Sequence, residues 1–344
     1  VPKILELSGI PVWASERDTA KPLVMAGGAA VSLNPEPLSG FMDFYLIGEG
    51  EGAVSKLVEA YGAANERRFD KGDILLTLDS LPFVYVPSLY DFQYDGVKIT
   101  ERVSKDKAKP KVRASKNLNL DGFPIPRSFI TTPDAEFGGA FLTEVERGCG
   151  RGCRFCAAGF LYLPPRFRGF EDVKNIIKDG IKTTGKAGLV GAAVSEYPGL
   201  NALLTFGAEM GCEMTLSSLR ADMLDAELAR LLKKAGYKTL TIAPEAGSSK
   251  LRRVINKNIT DTDILKAVSL AVDAGFSKIK LYFLIGLPTE SDEDADAIVE
   301  TVKKIKGIFN KGKLTLSVNQ FIPKPATPFQ WAAFENTETL EKRL

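Results

Sequence analysis

The sequence predicts an α/β protein: a partial (β/α)6 TIM-like barrel preceded by the remnant of a doubly wound Rossmann-like domain. Three observations carry this expectation. From residue 140 to 330, short apolar runs alternate six times with amphipathic helical patterns, joined by connections of a few residues, as a parallel sheet with outer helices requires. Residues 1–66 hold two short apolar runs closed by glycines, the pattern of strands that end at a ligand-facing edge. Three of the chain's four cysteines fall within eight residues, in the loop after the first barrel strand, where chemistry gathers in such folds.

The elements follow in order. Val1-Pro-Lys-Ile reads as the last turns of a helix already under way, so the chain is expected to be a fragment. In the partial domain 1–66, Pro22–Ala26 is a buried strand ending at Gly27-Gly28, and Phe44–Ile47 is another, ending in Gly48-Glu-Gly-Glu-Gly52. The helix after it is expected to present Val54, Leu57, Val58 and Tyr61 on one face. Glu49 and Glu51 would repel a phosphate at those glycines, and acids at a helix start are explained by the macrodipole.

Residues 67–139 read as a linker or extended region, with Ile74–Leu78 helical and Phe83–Val86 extended. The Lys-rich run Lys105–Lys116, broken by Pro110, reads as exposed strand or solvated connector. With Phe92 and Tyr94 nearby for stacking, nucleic acid is the other partner such a run could touch.

The barrel is expected over 140–330, with 331–344 starting a C-terminal extension. After the strand before Cys149, strands are predicted near 189–195, 213–219, 238–243, 278–285 and 314–322. Helices are predicted near 172–183, 200–210, 225–235, 261–274 and 292–309. The run from Lys280 to Gly286 is apolar enough to be a strand buried on both faces.

Composition excludes several classes. With 344 residues and 44% hydrophobic content, the chain can build two ordinary cores. A net charge of +2 is too balanced for bulk charge to imply nucleic acid or anionic membrane. No apolar run approaches the roughly 18 residues of a membrane span, and no secretory signal opens the chain. A soluble, cytoplasmic protein with no membrane partner is expected, and clustered cysteines in a reducing compartment do not form a disulfide framework.

The cysteine stretch is Cys149-Gly-Arg-Gly-Cys153-Arg-Phe-Cys156. Its glycines let the backbone fold back so that three thiolates can aim at one centre. Three soft ligands suit an iron–sulfur cluster or zinc. Structural zinc wants four protein ligands, and this chain has no histidine and only Cys212 in reserve, about 56 residues away. A cluster held by three thiolates leaves one iron open for a substrate or cofactor.

The C-x3-C-x2-C spacing, with aromatic Phe155 just before the last cysteine, resembles the hallmark of the radical S-adenosylmethionine (SAM) superfamily. Gly27-Gly-Ala-Ala-Val-Ser-Leu-Asn-Pro-Glu-Pro-Leu38 followed by Asp43-Phe-Tyr-Leu-Ile-Gly-Glu-Gly-Glu51 is similar to the end of the cobalamin-binding-like domain of one branch, closest to an uncharacterised subgroup. The resemblance covers the chain from about Leu23 to Phe329 and is specific for membership, not for substrate. It implies a [4Fe–4S] cluster on Cys149, Cys153 and Cys156 whose open iron chelates the amine and carboxylate of SAM. Reductive cleavage then yields methionine and a 5′-deoxyadenosyl radical that abstracts hydrogen from an unreactive position. A reducing partner such as a flavodoxin or ferredoxin is implied with it. Cobalamin is left open: the family's D-x-H-x-x-G ligand motif cannot exist without histidine, so the corrin binds without a protein ligand or the domain is degenerate.

The same resemblance names cofactor contacts at the strand ends. Besides Phe155 they are Ser195 and Glu196 towards the methionine amine, Ser217 for the ribose, and Arg220, which holds a carboxylate or pairs with Asp222. Ala243-Pro-Glu-Ala-Gly-Ser248 with Lys257 resembles the E-S-G turn and its following basic residue, so Glu245 would contact cofactor and Lys257 would pair with the carboxylate. Backbone groups around Leu284 and Ile285 would read the adenine. The plainer alternatives are that Glu196 is a solvent-facing loop acid and Glu245 a helix cap. Arg147, Arg151 and Arg154 would raise the cluster potential or bind phosphate, and Arg252 and Arg253 are expected at the surface. Glu290 is expected to cap the next helix, and Cys212 to be a buried structural thiol. The rival functions are a methyl- or methylthiotransferase acting on RNA or protein, possible with cobalamin, a non-catalytic iron–sulfur electron carrier, and a zinc-bearing nucleic-acid-binding module.

Overall fold

The computed structural model describes residues 1–96, 98–105, 107–135 and 137–344, and the chain divides into two compact units, 1–118 and 119–344.

In the first unit, α1 is Pro2–Leu7, β1 Met25–Ala26, α2 Ala29–Leu33, β2 Phe44–Leu46, α3 Ala53–Glu66, α4 Lys71–Asp79 and β3 Val84–Tyr85. The three strands form one sheet in the order β1-β2-β3, with β1 parallel and β3 antiparallel to β2. Strand β1 keeps only the end of the predicted run, and proline at 22 has no N–H to give a ladder. All three β2 residues are buried, and Phe44 and Leu46 pack with Leu57, Ile74, Leu78 and Val84.

Helix α3 corrects the expected face. Its buried residues are Ala53, Leu57 and Ala64, while Val54, Val58 and Tyr61 are exposed, Val58 at 60%. The spacing i, i+4, i+11 keeps one stripe on the core, and small alanines let the helix lie close. The acids before it correct another expectation. Glu49 is buried and accepts from the Asn117 N–H, clear of the first turn of α3.

The stretch after β3 holds a hairpin that the sequence reading did not anticipate: β4, Tyr90–Asp95, pairs antiparallel with β5, Lys98–Ser104. The Lys-rich run beyond it is not wholly solvated. Lys109 turns inward and donates to Asp79 Oδ1 (2.8 Å) and to the carbonyls of Asp79, Leu81 and Val84. Ser115 bridges Gly48, where any Cβ would lie 2.2 Å from the Ser115 oxygen, so only glycine fits.

The second unit opens with β6, Phe141–Glu144, β7, Glu146–Arg147, α5, Ala158–Leu161, and β8, Arg166–Phe167. Then α6 (Phe170–Thr184), β9 (Lys186–Val190), α7 (Leu200–Glu209), β10 (Glu213–Leu216), α8 (Ala226–Lys234) and β11 (Leu240–Glu245) follow. The chain closes with α9 (Ser249–Val254), α10 (Asp261–Asp273), β12 (Lys278–Ile285), α11 (Asp292–Ile308), β13 (Lys313–Gln320) and α12 (Thr337–Arg343). The barrel strands form two parallel three-stranded sheets, β10-β9-β6 and β11-β12-β13, joined by the parallel bridge Leu219↔Ile242. Each strand is thus beside its predecessor, the order of a partial (β/α)6 barrel. At the seam, the Tyr237 hydroxyl donates to the Leu216 carbonyl (2.9 Å).

The β12 run is not equally buried on both faces. Ile279, Leu281, Phe283 and Ile285 are buried in the core with residues of α6, α8 and α10, while Lys280, Tyr282 and Leu284 are only half-buried on the other face. The reason is curvature: an open barrel covers its outer face with helices and leaves its inner face accessible. The outer edge of β6 is covered by residues 126–128, through Ser128 N to Leu142 O (2.8 Å) and Glu144 N to Pro126 O (3.0 Å). Among the described residues, no helix is long and apolar enough to cross a membrane.

Candidate functional site

The site is built on the loop between β7 and α5. Gly148, at φ +92°, would place a Cβ 2.1 Å from the Tyr162 oxygen, so the loop doubles back tightly only with glycine there. Cys156 N donates to Cys153 O (3.0 Å), closing a turn that leads into α5. Cys153 is buried, and Cys149 and Cys156 are half-buried.

The loop is clamped from the far side of the barrel. Asn256, at φ +56°, donates its side-chain amide to the carbonyls of Gly152 (2.9 Å) and Arg151 (3.3 Å). Arg154 donates its N–H to Ile255 O (2.9 Å) and its guanidinium to Val254 O (2.6 Å). Phe155 packs with Ala246, Leu251, Ile255, Leu284 and Leu287. The cysteine loop, the turn after β11 and the exit of β12 therefore meet through one small apolar cluster.

Two of the thiols are shifted by their surroundings. Burial pushes the Cys149 thiol up, opposed by a hydrogen bond from the Arg151 N–H, and the charges of Glu196, Cys156 and Glu146 push it further. Burial also raises Cys153, but Lys257 and Arg220 pull it back towards the thiolate. Among the described residues, no three His, Cys, Asp or Glu side chains converge as a single-ion site requires. Zinc draws its sulfurs to about 2.3 Å from one point, whereas a multi-iron cluster takes each thiolate at a different metal atom. Three cysteines on one clamped loop supply the soft thiolate donors that such a cluster takes.

The predicted strand-end residues fall around this loop, mostly paired. Glu196, with Ser195 in a turn of 3-10 helix after β9, accepts from Arg151 Nε on the cysteine loop (2.5 Å) and is no solvent-facing acid. Glu245 ends β11 at φ +69°, after a register shift against β12, and its Oε1 meets Lys257 Nζ at 3.0 Å. A non-glycine residue in that left-handed region is strained, and the irregularity re-aims the carboxylate. Lys257 is buried and reaches both Glu245 and the field of Cys153. Arg220 makes a bidentate pair with Asp222 (2.9 and 3.0 Å), while also donating to Lys257 O (3.1 Å). Leu284 lies in the Phe155 cluster, and Ile285 is buried on the helix-facing side of β12. Ser217 is exposed in the loop after β10, with no hydrogen bond to the rest of the group among the described residues.

Several expectations change. Arg252 is not a surface residue: it is 1% exposed and donates to the carbonyls of Ala246, Gly247 and Ile259 and to Asp261, fastening the turn that carries Glu245. Arg253 is exposed as expected. Glu290 does not cap α11. Ser291 and Asp294 do, while Glu290 accepts from the Gly286 N–H (2.6 Å) and pairs with Arg343. Cys212 is 4% exposed with its sulfur 3.9 Å from that of Met214, a structural thiol.

Sequence reading missed Glu146. It is 2% exposed beneath the cysteine loop, and its carboxylate accepts from the Ala193 N–H at the exit of β9. Burial pushes its pKa up to about 7, with Ala193 and Ala192 N–H bonds opposing and the Glu196 charge adding. The signal was Gly191, whose missing Cβ leaves room for the Glu146 side chain. It reads as an ordinary loop glycine until the fold is known.

Known proteins match the chain in both units. The profile of radical SAM proteins' N-terminal domain matches residues 1–87, and that of the radical SAM superfamily matches 143–302. An uncharacterised protein of Methanocaldococcus jannaschii is 37% identical over 315 residues, covering 91% of this chain and 62% of that protein. The threonylcarbamoyladenosine tRNA methylthiotransferase MtaB of Aquifex aeolicus is 29% identical over 196 residues, 52% of this chain and 46% of that enzyme. The fold is similar to that of the radical SAM methyltransferase TsrM from Kitasatospora setae, solved with cobalamin and a [4Fe–4S] cluster, with a TM-score of 0.58 at 16% identity over 92% of this chain and 63% of that one. The chain thus spans less than two thirds of the length of each of these proteins. It belongs to the radical S-adenosylmethionine superfamily, a family of enzymes that use a [4Fe–4S] cluster and S-adenosylmethionine.

Proposed function

We propose that this chain carries the radical-generating site of a radical SAM enzyme, with Cys149, Cys153 and Cys156 holding the cluster. The supporting observation is the clamped loop of three cysteines flanked by the acid–base pairs Arg151–Glu196 and Lys257–Glu245. When bound, the cluster supplies the electron that cleaves SAM to methionine and a 5′-deoxyadenosyl radical. The chain's own residues bind and orient. A methionyl group is a zwitterion, and each acid–base pair offers one charge to each of its ends: Glu196 to the amine, and Lys257 to the carboxylate. Binding exchanges internal ion pairs for pairs with the ligand, so the site need not expose naked charge while empty. The Phe155 cluster keeps water from the loop, which strengthens those charge contacts. In this reading Ser195 joins Glu196 at the amine, Ser217 contacts the ribose, and the backbone at Leu284 and Ile285 reads the adenine.

The test is anaerobic reconstitution with iron and sulfide, reduction with dithionite, and assay for 5′-deoxyadenosine. Four irons per chain with product formation are expected. A cluster that forms without any SAM cleavage would leave an electron carrier instead, and one zinc without sulfide would leave a metal-binding module.

Methyl transfer with cobalamin is the second reading, favoured by the similarity in fold to TsrM across both units. With no histidine in the chain, the corrin would be held without an imidazole ligand. Retained corrin absorbance after gel filtration decides it. Methylthio transfer of the family's usual kind draws on a second cluster with three further cysteines; outside the cysteine loop this chain itself holds one, buried Cys212.

A further inference from the structure

Among the described residues, six lysines are buried or half-buried, and five of them pair with an acid, as Lys109 does with Asp79 and Lys257 with Glu245. The sixth is Lys280 of β12, whose ammonium has no hydrogen bond or ion pair among the described residues. It lies instead 4.6 Å from the centroid of the Tyr282 ring. Such a contact attracts a cation without neutralising it.

The strand register gives its surroundings. Residues directly opposite in a ladder share a face, so Lys280 is flanked by Thr241 of β11 and Thr315 of β13 on the inner face of the barrel. One step towards the strand starts, exposed Lys278 lies opposite exposed Lys313 on that same face. Like charges directly opposite destabilise a ladder, and β12 and β13 contain no aspartate or glutamate to relieve them. One step the other way, Tyr282 lies opposite Ser317, and the next residue on that face, Leu284, belongs to the Phe155 cluster. The Lys280 ammonium is therefore folded along the strand towards the end that meets the cysteine loop. At about 3.3 Å per residue, Lys280 and Leu284 stand about 13 Å apart along β12.

We propose that this inner face of β12 and β13 binds an anionic group of the substrate, a phosphate or a carboxylate, with Lys280 as its charge and Thr241 and Thr315 as hydroxyl donors. The inference rests on the radical SAM reading and adds the chemical class of the substrate. In that reading the SAM carboxylate goes to Lys257, which leaves Lys280 for the second ligand. A half-buried ammonium attracts an oxyanion more strongly than one in bulk water, and hydroxyls can donate to its remaining oxygens. An incoming anion also relieves the repulsion between Lys278 and Lys313. Anchored there, the rest of a small substrate lies along Tyr282, between the anion site and the cysteine loop.

The probes are inorganic phosphate and succinate, each added to the full chain while its lysines are acetylated with N-hydroxysuccinimidyl acetate and followed by peptide mass spectrometry. At millimolar concentration, one or both are expected to slow acetylation of Lys280 at least fivefold relative to chloride at equal ionic strength. Lys266, exposed on α10, should be unaffected. Protection by phosphate alone assigns a phosphoryl group, and by succinate alone a carboxylate. The magnetic-resonance line of the protecting anion, broadened by the wild type, is expected to sharpen with Lys280→Met and stay broad with Lys280→Arg. Lys280→Met breaks no ion pair, so a circular-dichroism melt close to wild type is expected and separates lost binding from lost fold. Acetylation that neither anion slows, or equal broadening by Lys280→Met, overturns the proposal. Protection by SAM alone in the reconstituted chain also overturns it and assigns the lysine to the cofactor. Failure of the underlying reading has a different mark: no four-iron cluster forms, whatever the anions do at Lys280.

Discussion

The ion pairs of residues 1–118 and those at the barrel strand ends are built differently. In the first unit, Arg17 pairs with Asp43 and also donates to the carbonyls of Pro11, Val12 and Phe41, while Lys71 joins Asp43 and the carbonyls of Ala14 and Arg17. Lys109 is bound by Asp79 and three carbonyls. An ammonium has three donors, and in these pairs all are taken. At the strand ends, Lys257 has a single partner, Glu245, and the Glu196 carboxylate meets only Arg151 among the described residues. Saturated pairs fix a chain, because no ligand can offer better. Unsaturated pairs leave donors and lone pairs for one that can.

Four outcomes would break or sharpen that contrast. The largest effect is expected for Cys153→Ala, which removes one of the three thiols proposed to hold the cluster from an already clamped loop. Iron and sulfide content and SAM cleavage should vanish together, while the melting temperature of the metal-free chain moves little. Next, Asp43→Ala leaves buried Arg17 and half-buried Lys71 without their acid, and urea denaturation should show a loss of about 3–5 kcal/mol. If that variant is as stable as wild type, the first-unit pairs are not structural. Lys257→Ala should keep the cluster but weaken SAM binding about tenfold, or about 1.4 kcal/mol, with a smaller change in unfolding stability. Normal affinity there would remove Lys257 from the carboxylate.

The smallest effect concerns Glu146. Its folded pKa, about 7, lies above its ordinary value of 4.5. Such a carboxyl contributes stability that is fully present below the ordinary value and lost as pH rises through about 7. Melts of the metal-free chain from pH 4 to 8 should therefore show a decline that Glu146→Gln flattens, since the amide oxygen still accepts from the β9 exit. An unaltered pH profile would detach the decline from Glu146.

Legibility followed period and spacing. The order of the six barrel strands and their helices and the cysteine loop were readable because alternation and C-x3-C-x2-C are local patterns, but the second strand, expected near 189–195, is Lys186–Val190, and Val194–Glu196 is a turn of 3-10 helix. The β4–β5 hairpin was missed because it lies at the surface: β4 buries only Tyr90 and β5 is exposed throughout, so the alternation Tyr90, Phe92, Tyr94 faces no buried run on the strand it pairs with. The α3 face went wrong because valines and a tyrosine outshone the alanines that the core uses. Arg252 and Glu290 were misjudged for one reason: a charged residue near a helix end looks solvated or capping until the carbonyls and guanidinium that surround it in space are known.

Sequence alone determined the order of strands and helices, the thiol set, and the absence of any imidazole, since these depend on neighbours a few residues apart. Tertiary structure alone decided which charges were spent on each other and which stayed outward. Asn256 reaching back to the Gly152 carbonyl, and Arg154 reaching the Val254 carbonyl, each across about a hundred residues, are contacts between distant stretches that only chain closure brings within hydrogen-bonding range.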